Sequence, residues 1–331
     1  MRSLIRLQMK KEILLFLCLI FALASGISAS AADNYPTKTI QLVCPYAVGG
    51  VTDLSARLLA EKMGEILKQP VIVENKPGAG AALGTGYVAG SKPDGYTILT
   101  AWTGVSVLVP LITPNLPYKM SSLTPIAKTV TLDMVMLVNK DIPANNLTEF
   151  IAYAKQNPKK LSYSTAGVGT LPHLVAEQFN QIAGTDLQHI PYNSELQAVT
   201  ALVGKHVDAT VISYTIAAPH IKTGAIKPIA LLAEKRDPDM PNTPTAIEQG
   251  YPTLTAAIYN IIYAPAKTPP DVLKKLEDAV ERTLKDKDVR DKLAKMDYKV
   301  TFLNSRDAQA FLESETKKWA PIVKKANIVI K

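Results

Sequence analysis

His173, His189, His206 and His220 are the only histidines of the chain, and none stands at metal-ligand spacing from another or from a cysteine. No Gly-x-Ser-x-Gly elbow accompanies them, and the loops offer no nucleophile, base and orienting group that could act as a set. Glycine supplies the chemistry instead. It clusters at three junctions where a strand gives way to a helix: "CPYAVGGVTDLSARLL" (44–59), "VENKPGAGAALG" (73–84) and "YSTAGVGTLPHLVAEQF" (163–179). Each junction leaves backbone N–H groups free at a helix N-terminus, where donors and helix dipole together stabilise a carboxylate or phosphate. In the third, Thr170 is a good N-cap and Pro172 suits the first turn.

Phosphate loops need more than glycine. No Gly-x-x-x-x-Gly-Lys-Ser/Thr occurs, which removes the P-loop. Gly78, Gly80 and Gly84 imitate a dinucleotide turn, but the acid due at the end of the next strand is missing, because "YTILTAW" runs into Trp102-Thr103-Gly104. No nucleotide, metal or other cofactor is expected. Two polar side chains beside the loops keep two readings each. Asp53 in a first helical turn is either a cap and dipole partner or a group that meets a hydroxyl, an ammonium or water. His173 is either a capping and packing residue or a donor on the ligand side.

The elements that must position these loops alternate regularly. "TIQLVCPY" reads as a strand, and "TDLSARLLAEKMGEIL" as a helix with Leu54, Leu58, Leu59, Met63, Ile66 and Leu67 on one face. "QPVIVEN" is a strand, "AALGTGYVAGSK" a small-residue helix and "DGYTILTAW" a third strand. Such a β-α-β-α-β series implies a mostly parallel sheet covered by helices. A second series starts at "LDMVMLVNK" (132–140) and closes with the strand "GAIKPIALLA". From Pro269 the tail reads as helix throughout. The two series predict two α/β units of about 100–150 residues each.

The N-terminus has the form of a secretory signal. Arg2, Arg6, Lys10 and Lys11 precede the 12-residue apolar run Ile13–Ala24, too short to span a bilayer. Ser30-Ala31-Ala32 fits a cleavage site before Asp33. Cys18 lies after Phe16-Leu17, where a lipid anchor needs a small residue, so none is expected. Removing residues 1–32 lowers the formal charge from +8 to +5. The remaining basic residues are interleaved with acids, not gathered in the one-sided stripe that a nucleic-acid binder shows. Only Cys44 of the two cysteines remains, which excludes an intrachain disulfide and suits a small buried hydrophobe.

Several of these stretches, in order, resemble a known family. "CPYAVGGVTDLSARLLAEKM", "QPVIVENKPGAGAALGTGYVAGSKPDGYTILT", "LSYSTAGVGTLPHLVAEQF", "HVDATVISYTIAAPHIKTGAIKPIAL", "NTPTAIEQGYP", "YAPAKTPPDVLKKL" and "KKWAPIVKKANI" look like the Bug-type extracytoplasmic solute receptors. These are the TctC-like binding subunits of tripartite tricarboxylate transporters. The resemblance covers essentially the whole chain after the signal. It implies an α/β, two-lobed periplasmic-binding-protein fold (Venus flytrap, type II), each lobe a mixed, mostly parallel sheet flanked by helices. Residues 33–131 and 257–331 would form lobe 1, and 132–256 lobe 2. The crossing segments Thr131-Leu132-Asp133 and Ala257-Ile258-Tyr259 would be the hinge. The ligand, a small organic carboxylate, would sit between the lobes on backbone amides and bridging water, with no cofactor.

Carried over by position, Gly49, Gly50 and Thr52, with Asp53 beside them, match the first-lobe loop. Thr165, Gly167, Gly169 and Thr170 match the second-lobe loop, and His173 the family histidine. Gly80 and Ala81, in the second junction, would add backbone donors on the cleft floor, secondary to the Gly49-Gly50 and Gly167–Thr170 loops. Trp102 and Thr103 fall in the loop after the third strand, where Trp102 replaces a smaller residue and either shapes the ligand's site or packs between lobes. "IPYNSE" places Asn193 where lysine is usual, and "AIYNIIYAP" departs from the family pattern at Tyr259-Asn260. The resemblance implies a periplasmic, monomeric binding protein, not an enzyme. It would deliver its ligand to the membrane components of a tripartite tricarboxylate transporter, with no nucleic-acid partner. A receptor that presents its ligand to a signalling protein, and a secreted α/β enzyme with its site in the cleft, are the alternatives.

Overall fold

The computed structural model describes residues 34–329, so the expected signal peptide and Cys18 lie outside the described residues. From Lys38 onward the chain forms one compact unit. Its first part runs β1 (Ile40–Cys44), α1 (Val51–Leu67), β2 (Val71–Asn75), α2 (Ala82–Ala89) and β3 (Thr97–Trp102). A π-helical turn at Gly104–Leu108 then leads into the short α3 (Val109–Ile112) and the long β4 (Leu123–Asn139). Next come α4 (Leu147–Gln156), β5 (Ser162–Thr165), α5 (Leu171–Ala183), β6 (Gln188–Pro191), α6 (Glu195–Val203), β7 (Ala209–Ser213), α7 (Tyr214–Lys222) and β8 (Ile226–Leu231). The chain ends with β9 (Ala257–Pro265), α8 (Pro270–Lys285), α9 (Lys287–Lys295), β10 (Lys299–Leu303) and α10 (Ser305–Lys325).

The strands join in the order β2-β1-β3-β9-β4-β7-β5-β6, with β10 and β8 also on β4. β1 pairs in parallel with β2 and β3, and β5 in parallel with β6 and β7. The inner strands β1, β3 and β7 are buried, largely apolar runs, as strands covered by helices on both faces must be, whereas the outer strands β2 and β6 are mostly part-exposed. β4 links them. Its first half pairs antiparallel with β9 and β10, its second half antiparallel with β7 and β8. At the crossing, Thr131, Leu132 and Asp133 lie opposite Tyr259, Ile258 and Ala257. The result is a mixed α/β architecture of two sheets continuous through one strand.

Strand directions decide where a ligand can sit. β3 and β4 are both antiparallel to β9, so β4 runs the same way as β1–β3. β7 is antiparallel to β4 and parallel to β5. The C-terminal ends of β1–β3 therefore point towards those of β5–β7 across the crossing. In open α/β sheets ligands bind outside the carboxyl ends of the strands, and here two such edges face one another. Lys299 of β10 braces this region, bonding both Asp133 on β4 and Asp237 in the loop after β8.

Three features differ from the sequence reading. β4 begins at Leu123, nine residues before the expected strand; register shifts at Pro125/Ala127 and Lys128/Thr131 absorb a proline and a lysine that break the apolar pattern. The tail is not all helix, since β10 lies between α9 and α10. On α1 the buried face is Ala56, Leu59, Ala60 and Met63, while Leu54 is 47% exposed. Asp53 is drawn inward to Asn75, and its neighbour, about 100° further round the helix, is turned out.

Candidate ligand cleft

The first junction is tied together by Asp53, which is 1% exposed. Its Oδ2 accepts from Gly49 N–H at 2.9 Å and from Arg57 Nε at 3.0 Å, and its Oδ1 from Asn75 Nδ2 at 2.8 Å. Asn75 Nδ2 also donates to Tyr46 O, while Asn75 Oδ1 accepts from Arg57 Nη2. Burial works to raise the Asp53 pKa, but hydrogen bonds from Arg57, Gly49 and Asn75 outweigh it and hold the carboxyl below its usual range. Asp53 is thereby committed to shaping the loop. Gly49 takes φ +84°, Gly50 is the N-cap, and no side chain caps α1, so its first-turn amides, including that of Thr52, stay available to an anion.

The second junction is a single 3₁₀ turn. Ala79, Gly80 and Ala81 all have positive φ. α2 then runs so close to β1 that a Cβ on Gly84 would lie 2.7 Å from Lys76 O and 2.9 Å from Pro45 Cβ. The first two junctions and the turn after β3 meet around a cavity of about 390 Å³, lined by Pro45, Tyr46, Gly80, Ala81, Gly104 and Val105 among others. A larger apolar cavity, about 710 Å³, lies between the 104–112 segment and α10, beside Tyr263 in the middle of β9, away from the strand ends.

Trp102 and Thr103 are turned into the protein. Trp102 is 5% exposed and packs on Tyr298 with ring centroids 5.4 Å apart. The Thr103 hydroxyl accepts from Tyr259 N–H at 2.8 Å and lies 3.3 Å from Tyr259 O, which fastens β3 to the crossing strand. Tyr259 and Asn260 are buried as well. Asn260 stitches three strands together through Thr129, Thr100 and Ala101 O.

The second-lobe loop is held from within. The Thr165 hydroxyl accepts from Gly167 N–H, the Thr170 hydroxyl donates to Gly167 O at 2.8 Å, and Gly169 N–H donates to His173 Nδ1 at 3.1 Å. Gly167 and Gly169 take φ +126° and +77°, in the half of backbone space that favours glycine. Thr170 spends its hydroxyl on Gly167 and leaves α5 without a side-chain cap. Asn193 is exposed beside this loop, its N–H on Gln197 Oε1.

His189, not selected from the sequence, completes the cluster. Its ring stacks on His173 at 4.0 Å and on Tyr163 at 4.9 Å, and its Nε2 shares a 2.7 Å hydrogen bond with Thr165. Burial holds His173 at a pKa of about 4; burial, then the neighbouring His173, does the same for His189. Both folded values lie below the ordinary 6.5, so the unfolded chain takes up protons first as pH falls. The stability these rings contribute is complete above about pH 6.5 and is lost as pH drops towards 4. Between pH 7 and pH 5, His173 alone should give up about 2 kcal/mol. The His173→Gln variant, whose amide oxygen can still accept from Gly169, should show a shallower fall in melting temperature across that range; equal falls would show that the rings are not the titrating groups.

Two α/β halves with facing strand ends, joined by paired crossing strands, define the two-lobed class of periplasmic binding proteins. The comparisons narrow the class. Residues 55–328 match the tripartite tricarboxylate transporter family receptor, TctC. A UPF0065 protein of Bordetella pertussis is 40% identical over 258 residues, covering 78% of this chain and 80% of its own. The structure of the periplasmic binding protein BugD superposes with a TM-score of 0.70 at 34% identity, over 90% of this chain and 100% of that one. MatC from Rhodopseudomonas palustris, solved with bound malate, gives a TM-score of 0.67 at 30% identity, over 87% and 100%. The chain belongs to the TctC family of tripartite tricarboxylate transporter receptors. It is a solute-binding receptor, and no described helix is long and apolar enough to cross a membrane.

Proposed function

We propose that this receptor captures a small organic carboxylate between the two facing strand edges and hands it to a tripartite tricarboxylate transporter. The observation that carries this is the pairing of uncapped helix N-termini. α1 behind Gly49-Gly50 and α5 behind Gly167–Thr170 both lack a side-chain cap and stand at C-terminal strand ends that point towards one another. Backbone amides of Gly50, Thr52, Gly80 and Ala81 would hold the anion from lobe 1, and that of Thr170 from lobe 2, while the Gly49, Gly167 and Gly169 amides are spent on Asp53, Thr165 and His173 and keep the loops in register. Asp53, Thr103, Thr165 and His173 hold those loops in shape. MatC's bound malate supports the ligand class, and the family supports the transporter. Residues 132–256 would then swing as lobe 2 about the Thr131–Asp133 and Ala257–Tyr259 pair.

A ligand that binds only the folded state raises its melting temperature by mass action; at a hundredfold excess over Kd the gain is about 2.7 kcal/mol. A thermal-shift panel of mono-, di- and tricarboxylates, aromatic acids included, should therefore yield a stabilising acid. A panel in which none stabilises would refute the carboxylate reading.

A further inference from the structure

Glu195 is the first residue of α6, behind the N-cap Ser194. Its Oε2 accepts both the hydroxyl and the N–H of Ser213, the last residue of β7, the latter at 3.3 Å. β5 lies between β6 and β7. Glu195 opens the helix that follows β6 and its carboxylate meets the last residue of β7, so it stands at the same C-terminal sheet edge as the Gly167–Thr170 loop that follows β5. The preceding residue Tyr192 donates its N–H to Thr165 O, and its own carbonyl would lie 3.6 Å from a Cβ on Gly167. Glu195 thus belongs to the second-lobe edge of the cleft.

The same residues fix its distance from lobe 1. Ser213 pairs with Met134, next to Asp133, which pairs with Ala257; Thr103 bonds Tyr259 on that same strand. Thr103 and Ser213 stand three strand spacings apart, roughly 14 Å in a flat sheet. That span suits a small molecule with one polar group at each end. Glu195 Oε1 has no hydrogen-bond partner, and no lysine, arginine or histidine pairs with the carboxylate, among the described residues. Burial pushes its pKa up against the Ser213 hydrogen bonds. The helix start and the Ser213 donors steady one side of this part-buried carboxylate, and a ligand cation would meet its open oxygen without displacing a protein partner.

We propose that Glu195 determines specificity: its open oxygen receives the ammonium group of a ligand whose carboxylate rests on the backbone amides, so amino acids and amino-dicarboxylates are preferred over plain acids of the same length. This rests on the carboxylate reading of the cleft and deepens it. Glu195→Gln keeps an oxygen for Ser213 and removes the charge.

The test is calorimetric titration of the full mature chain with matched pairs, aspartate against succinate and glutamate against glutarate, for the wild type and E195Q. In the wild type the amino member of at least one pair should bind about tenfold tighter or more, as expected for a charge-assisted contact. E195Q should abolish that preference and bind the plain diacid more tightly, because a like charge has gone. Equal binding within both pairs, or a preference that survives in E195Q, overturns the role of Glu195 and leaves the carboxylate reading standing. Failure of all four acids, alongside a panel in which no other acid stabilises the protein, removes both.

Discussion

Replacing Asp53 by alanine is expected to lower stability by about 3 kcal/mol, a fall in melting temperature of about 6 °C for a chain of this size. Three donors lose their acceptor at once. Gly49 N–H and one Asn75 Nδ2 proton lose a part-buried acceptor, Asn75 keeping Tyr46 O, and each loss costs about 1 kcal/mol, the low end of the range because water reaches this loop. The Arg57 ion pair adds less, because the arginine side chain is 46% exposed and water replaces part of what it loses. Asp53→Asn keeps an acceptor for Gly49 and should lose about half as much. The same substitution should weaken the best-stabilising acid about tenfold or more, since loop order is what preorganises the α1 amides. Calorimetric melting with and without that acid checks both effects. A D53A protein as stable as the wild type would mean that Asp53 does not organise the loop.

Gly84→Ala is expected to be about as damaging, by another route. A Cβ at 2.7 Å from the Lys76 carbonyl and 2.9 Å from Pro45 forces backbone apart, and overpacking of this kind costs about 1–3 kcal/mol. Gly80→Ala is the matched control. Gly80 has φ +59° and nothing within 4 Å of a new Cβ, so it should lose only about 1 kcal/mol from the left-handed backbone. Denaturant melts should rank G84A well below G80A; the reverse order would mean that α2 does not approach β1 so closely. The glycine spacing that imitates a dinucleotide turn is therefore explained by packing at Gly84 and by the 3₁₀ turn at Gly80.

Much of this was legible in the sequence because the signals were local. Continuous apolar strands, amphipathic helices and glycine at their junctions reveal themselves within a window of about fifteen residues. What escaped depends on partners distant in sequence. Asp53 reads as a cap or as a ligand group until Asn75, 22 residues away, is seen to fasten it. The first half of β4 was hidden by Pro125 and Lys128, and β10 by its short, polar-edged "KVTFL". Trp102 reads either as shaping the ligand's site or as packing between lobes, and its contact with Tyr298, from the far end of the chain, was not visible locally. Glu195 carries no signal of its own in the sequence, because only Ser213, 18 residues on, shows where its carboxylate goes.

The most direct test is a crystal structure of the mature chain with the acid that stabilises it most. One carboxylate is expected within about 2.7–3.1 Å of backbone N–H groups at Gly50–Thr52 or Gly80-Ala81, with the Gly167–Thr170 loop closed over the same molecule. An acid bound elsewhere, such as in the apolar cavity beside Tyr263, with the facing strand ends still apart and empty, would contradict it.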